Sequence, residues 1–178
     1  MKHNKLQTNN LELIAATLEH INAELESPEQ LASLLNTQVE PGWPPGEYDR
    51  NAQEFFCNRM KEDGTSGIGW YIWYAIRQAK NETPSLLIGA GGYFGPPNKD
   101  GIVEIGFSVM PSQQNKGYAT EIAKALIENA FNDNRVDKVI AHTTNHNKAS
   151  YKVLEKSGFH YVIKNHESDN ILFQRLKQ

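Results

Sequence analysis

The stretch that most limits this chain's fold is a strand pattern that passes through a proline-marked loop straight into an amphipathic helix. From Ile102 to Met110 the residues alternate. Val103, Ile105, Phe107 and Val109 share one face, and Glu104, Gly106, Ser108 and Met110 share the other. Pro111 ends the run. From about Gly117, the residues Ala119, Ile122, Ala123, Leu126, Ile127 and Ala130 then follow a 3.6-residue period. A strand over Val139–Thr143 and a helix over Lys148–Lys156 come next, with Asn147 as N-cap and Gly158 just past the end. Upstream, Trp70–Ile76 and Leu86–Phe94 read as strands, and Phe159–Ile163 with Ile171–Leu176 as a closing antiparallel pair. This order predicts a mixed α/β chain of the α+β class, a sheet with helices laid on it.

The first third has a different texture. Leu11–Ala16 suits a short strand, and Thr17 caps a helix through Leu25. Ser27-Pro28-Glu29-Gln30 opens another helix, with Leu31, Leu34 and Leu35 as its apolar face. Pro41–Gly46 must be a loop. Asp49 or Arg50 to Lys61 is helical, with Ala52, Phe55, Phe56 and Met60 on one side. At 178 residues, with 39% hydrophobic and 22% charged residues, one domain spanning 1–178 is expected. A formal charge of −3 does not suit a dedicated nucleic-acid binder. No apolar run approaches the roughly 20 residues of a membrane span. The polar start Met1–Asn10 has no apolar segment of a leader, and the lone Cys57 has no disulfide partner. Both predict a reduced, cytoplasmic protein.

Three glycine-containing stretches compete for chemistry. Gly89-Ala90-Gly91-Gly92 superficially matches a dinucleotide fingerprint. That motif must open a helix, and Pro96-Pro97 follows, so a strand allowing close backbone approach is the better reading. Gln114-Asn115-Lys116-Gly117-Tyr118-Ala119-Thr120 lies between a strand and a helix N-terminus. Free amides and the helix dipole there suit an anion; an ordinary helix start is the alternative. Asn147–Phe159 alone is a capped helix with a glycine stop. His142 and His146 lack a third ligand nearby, so no metal is expected.

Together, Gln-x-x-Gly-x-Ala at 114–119 and Asn147-x-x-Ser150-x-x-Val153-Leu154-Glu155-Lys156-x-Gly158-Phe159 resemble the GNAT superfamily of acyl-CoA-dependent N-acetyltransferases. Val103-Glu104-Ile105-Gly106-Phe107 fits the same pattern, and the branch containing the ribosomal-protein N-terminal alanine and serine acetyltransferases is the more similar one. The match is specific over 86–163 and weak over 1–80. The resemblance implies a mostly antiparallel sheet in which two parallel strands splay to admit acetyl-CoA, the co-substrate. It places the pyrophosphate on Gln114, Asn115, Lys116, Gly117, Tyr118, Ala119 and Thr120. It pairs the pantetheine with Phe107, Ser108 and Val109, with Asn147 on the other side. Residues 81–178 would bind the coenzyme, and 1–80 would face the acceptor.

The implied chemistry is attack of a neutral primary amine on the thioester, the amine belonging to a protein N-terminus or a small molecule. Because an alkylammonium is not nucleophilic, a proton must leave. Glu104 is the candidate base, directly or through a water, beside the small Gly106 and Ser108; a solvated strand glutamate is its plain alternative. A backbone N–H near Val109 would stabilise the oxyanion. Many relatives carry Tyr where this chain has Leu154; resemblance to the ribosomal-protein branch makes Ser150 the candidate donor to the departing sulfur, with a purely structural Ser as the alternative. Trp43, Tyr48, Trp70, Tyr71 and Tyr93 are candidates for the acceptor pocket, with core packing as the alternative for Trp70. A monomer or homodimer is expected. The rival readings are a catalytically quiet acyl-CoA sensor and a small α/β interaction domain.

Overall fold

The structure is a computed structural model, and it describes residues 4–164 and 169–178. The first three residues of the polar N-terminal stretch lie outside the described residues. The strands are β1 (Lys5–Gln7), β2 (Leu11–Ala15), β3 (Gln38–Val39), β4 (Ile72–Arg77), β5 (Leu86–Tyr93), β6 (Ile102–Val109), β7 (Lys138–Thr144), β8 (His160–Lys164) and β9 (Asn170–Leu176). The helices are α1 (Leu18–Glu26), α2 (Pro28–Leu34), α3 (Arg50–Asp63), α4 (Tyr118–Phe131) and α5 (Lys148–Lys156). The sheet order is β1-β2-β4-β5-β6-β7-β9-β8, with β3 beside β5. Neighbours along this path run antiparallel except β6 and β7.

Each face of the sheet buries its own apolar cluster. Val103, Ile105 and Val109 of β6 meet Ile122, Leu126 and Ile127 of α4 on one side. On the other side Tyr71, Tyr74, Leu87 and Met110 pack beneath Ile21, Leu31, Phe56 and Met60. The helix starts follow the capping residues: Thr17, Ser27, Asp49 and Asn147 each accept a backbone N–H from the first turn.

Two helical faces differ from expectation. Leu34 and Phe55 are exposed at 45% and 47%. The buried stripe of α3 is Gln53, Phe56, Cys57 and Met60, because Gln53 turns inward to hydrogen-bond the buried Glu24. The strands β1 and β3 go beyond the expected set, since both are short and polar. The glycine-rich β5 lies against its neighbours as expected. A Cβ on Gly92 would fall 1.7 Å from the Tyr71 carbonyl oxygen, and one on Gly89 would fall 2.5 Å from that of Ser108.

Candidate active site

β6 and β7 pair only where Ile102–Glu104 meets Lys138–Ile140. Both strands then continue, to Val109 and Thr144, without pairing to each other. The ladder between β5 and β6 tells which backbone groups face this fork. Phe94 N–H donates to the Glu104 carbonyl at 3.1 Å, and Met110 N–H to that of Ile88 at 2.8 Å. Hydrogen-bonded pairs alternate along an antiparallel ladder. Gly106 and Ser108 therefore turn their backbone toward β5, while Phe107 and Val109 turn theirs into the gap.

The loop after β6 supplies the second element. Pro111–Gln113 forms a 3-10 turn, and Asn115 and Gly117 take left-handed backbone at φ 61° and 86°. Gly117 serves as N-cap of α4 without any side-chain cap. Among the described residues, no protein acceptor takes the amides from Asn115 to Thr120, so they point outward at the positive end of the helix. Side chains brace the turn from behind. Gln113 Nε2 donates to Glu40 Oε1 at 2.8 Å, and Gln114 Nε2 to the Val109 carbonyl at 3.1 Å.

A cavity of about 490 Å³ fills the fork. Its walls include Phe107, Ser108 and Val109, the turn residues Gln114, Asn115, Gly117, Tyr118, Ala119 and Thr120, and Asn147 and Ser150 of α5 and its cap. Lys116 is not among them; its ammonium donates to the Ser112 carbonyl and Gln113 Oε1 instead. Lys152 and Lys156 do line the groove, which the sequence reading missed. Their spacing of four on α5, one turn apart on one face, was the available signal. The Asn147 side-chain oxygen accepts the Ser150 amide at 3.0 Å, which leaves its NH2 donors for a ligand. Leu154 is buried in the core.

A second, smaller cavity of about 220 Å³ opens on the other side of β6. Tyr48, Phe56, Tyr71 and Phe94 wall it, and Gly106 leaves space at its floor. It shares Glu47, Phe107 and Ser108 with the groove. The loop carrying Glu47 is tied down at both ends. The Ser108 hydroxyl donates to the Pro45 carbonyl at 2.8 Å, and a Cβ on Gly46 would come within 2.8 Å of that hydroxyl. Trp43 Nε1 and the Tyr48 hydroxyl each donate to buried Glu24 at 2.7 Å, and the Tyr74 hydroxyl joins them at 2.6 Å. Burial pushes the phenols of Tyr48 and Tyr74 well above their ordinary range, and the neighbouring carboxylate adds to the push, so both remain donors.

Besides Lys116, four expected residues fall elsewhere. Glu104 lines neither cavity; its carboxylate meets His142 Nδ1 at 2.7 Å, bridging β6 and β7 where they part. Trp43 is committed to Glu24, below the loop. Trp70 packs on Tyr93 and under the Arg135 guanidinium. Tyr93 is buried, its hydroxyl donating to the Leu126 carbonyl at 2.5 Å. Of the five acceptor candidates, Tyr48 and Tyr71 reach the pocket, while Phe56, Phe94 and Glu47 were missed. Among the described residues, no cluster of three or more His, Cys, Asp or Glu could hold a metal ion, and no helix is long and apolar enough to cross a membrane.

Residues 11–160 match the family model described as the acetyltransferase (GNAT) domain. The chain belongs to the GNAT acetyltransferase family. It is 30% identical to the N-acetyltransferase YjdG of Bacillus subtilis over 163 residues, 92% of each chain. Two solved structures share the GNAT fold at 16% identity. The ribosomal-protein-S5-alanine acetyltransferase of Vibrio fischeri has a TM-score of 0.66, covering 97% of this chain and 96% of that one. A ribosomal L7/L12 α-N-protein acetyltransferase, solved in complex with coenzyme A, has a TM-score of 0.65 with 95% of each chain covered. This GNAT protein is an acetyl-CoA-dependent N-acetyltransferase. The fork and the outward amides fit that co-substrate: an unpaired strand edge suits an amide-bearing arm, and a row of N–H groups suits a diphosphate.

Proposed function

We propose that the protein acetylates a primary amine within a complex that holds both reactants. The observation carrying this reading is the shared wall of two cavities at Glu47, Phe107 and Ser108, one suited to a long anionic ligand and one to a small acceptor. Acetyl-CoA, when bound, supplies the acetyl thioester. The amides from Asn115 to Thr120, with Lys152 and Lys156, hold its phosphates. The Phe107 and Val109 backbone edge and the Asn147 NH2 orient its arm. The Val109 N–H, turned into the fork, stabilises negative charge on the reacting oxygen. The Ser150 hydroxyl on the opposite wall donates to the sulfur. Residues 81–178 form the coenzyme half of a single domain, and 1–80 contribute the acceptor loop and α3. A buried Cys57 with no second cysteine to pair with and a charge of −3 support a cytoplasmic setting without a nucleic-acid partner.

Incubation of the protein with acetyl-CoA and a panel of amines and peptides tests this, with thiol release and product mass as readouts. Amine-dependent release with a product heavier by one acetyl group is expected. If coenzyme A raises Tm but no amine releases thiol, the chain is a sensor. If coenzyme A has no effect on Tm, the groove does not bind it.

A further inference from the structure

We propose that Glu47 receives the acceptor's ammonium and takes its proton, and that the acceptor is a primary monoamine on an apolar body about the size of an amino-acid side chain. This rests on the acetyl-transfer reading above. Among the described residues, Glu47 is the only acidic residue lining either cavity, and it lines both. An amine arriving as a cation is held and deprotonated most readily by a carboxylate where the two reactants come together. Glu104, hydrogen-bonded to His142 at the base of the fork, is not at that junction.

The loop holds Glu47 in place. Pro45 on one side accepts from Ser108, and Tyr48 on the other donates to Glu24 and returns its N–H to the Pro45 carbonyl at 3.0 Å. The Asp49 side chain then accepts the Ala52 amide at 3.0 Å, so α3 begins immediately beyond. With the backbone of the turn fixed at both ends, only the exposed Glu47 side chain has to order when it engages a ligand.

The rest of the pocket sets the acceptor's chemistry. Behind Glu47 stand Phe56, Tyr71 and Phe94. Phe56 lies 5.8 Å from Phe94 and 6.1 Å from Tyr71, ring centre to ring centre. The Tyr71 hydroxyl is committed to Asp63. A volume near 220 Å³ exceeds the roughly 150 Å³ that admits benzene, so a ring or branched aliphatic group fits. A polyamine or amino sugar would bring further ammonium groups into a pocket whose lining offers them no second carboxylate, Asp63 being engaged behind Tyr71, so their lost hydration is poorly compensated.

The proton and bond changes balance. One ammonium proton passes to the Glu47 carboxylate. The freed nitrogen lone pair forms the N–C bond as the C–S bond breaks. The second nitrogen proton ends on the departing sulfur, and Glu47 then releases its proton to water.

Steady-state acetylation of phenethylamine, isoamylamine, a peptide beginning with phenylalanine, spermidine and kanamycin tests the substrate class. The two free amines or the peptide are expected to exceed spermidine and kanamycin in kcat/KM by about tenfold or more. The peptide arm separates a free amine from a chain terminus. Glu47→Gln is expected to lower kcat/KM for the preferred amine about 100-fold, with Glu47→Asp intermediate. Coenzyme A affinity by calorimetry is expected to stay within about twofold, because a neutral isostere leaves the phosphate-binding amides in place. Phe94→Ala, at an exposed ring, is expected to raise KM for phenethylamine more than for isoamylamine.

Preference for the polycations, or full activity in Glu47→Gln, overturns the inference and leaves acetyl transfer standing. Absence of transfer to every amine overturns the acetyl-transfer reading itself. In that case calorimetric binding of phenethylamine to the CoA-saturated protein still decides the pocket: binding that is lost in Glu47→Gln supports the inference, and no binding overturns it.

Discussion

Glu24 is 3% exposed and accepts from Trp43, Tyr48 and Tyr74. Removing the carboxylate leaves buried donors without partners, so Glu24→Ala is expected to cost about 3 kcal/mol or more in urea denaturation. Burial pushes the Glu24 carboxyl above the ordinary range, and donations from Tyr74, Tyr48, Trp43 and Gln53 oppose that push without cancelling it. The folded chain therefore holds this proton more tightly than the unfolded chain does. The resulting stabilisation is complete below the ordinary value near 4.5 and is lost as pH rises through the raised one. The stability of the native protein relative to Glu24→Gln should decline as pH climbs above that value; a constant difference between about pH 4 and pH 8 would refute the assignment. Nothing in the sequence marked Glu24, since it looks like one of several acidic residues on a polar helix. Its burial follows from three aromatic donors brought together from a loop, a turn and a strand. Trp43 was legible as a loop aromatic, but what it touches was not.

The strand–turn–helix of β6 and α4 was the most readable element, because an apolar period and a glycine fall in a single continuous stretch. Its chemistry depends on backbone direction. Gly117 holds φ at 86°, and a Cβ there would meet nothing within 4 Å, so strain rather than collision limits substitution. Gly117→Ala should cost about 1–2 kcal/mol of stability. If the outward amides turn with it, coenzyme A affinity by calorimetry should fall about tenfold for each 1.4 kcal/mol of binding lost. Unchanged affinity in a variant whose stability has fallen by that amount would mean that the turn keeps its backbone or that those amides do not hold the phosphates. The Asn147–Gly158 helix was equally legible, with its N-cap and glycine stop where expected. Short β1 and β3 were not, because three and two residues with a single inward side chain each, Leu6 and Val39, carry no period to read. Phe55 and Leu34 show the limit of helical periodicity, which finds a stripe but cannot say whether a neighbour covers all of it.

At the scale of the molecule, the split between β6 and β7 came from the family resemblance, and its depth only from the register. The ladder stops after Glu104 and Ile140. The smaller cavity, the proposed acceptor site, was hardest to foresee, because its wall joins Glu47 and Phe56 to Phe94 and Gly106, residues far apart in the chain. A ligand that binds only the folded chain stabilises it, by about 2.7 kcal/mol at 100 times Kd. For a chain of this length, coenzyme A at that level should raise Tm by about 5–10 °C in a thermal melt. A shift near zero would leave the fork without its ligand.

The half-closed seam has another side. Between Ile105 and Val109 the protein keeps a border of main-chain donors and acceptors facing a gap, and any extended polypeptide can offer such a border the matching groups. Coenzyme bound there as proposed would cover that border, and the loaded protein is then expected to self-associate less than the empty one in light scattering at high concentration.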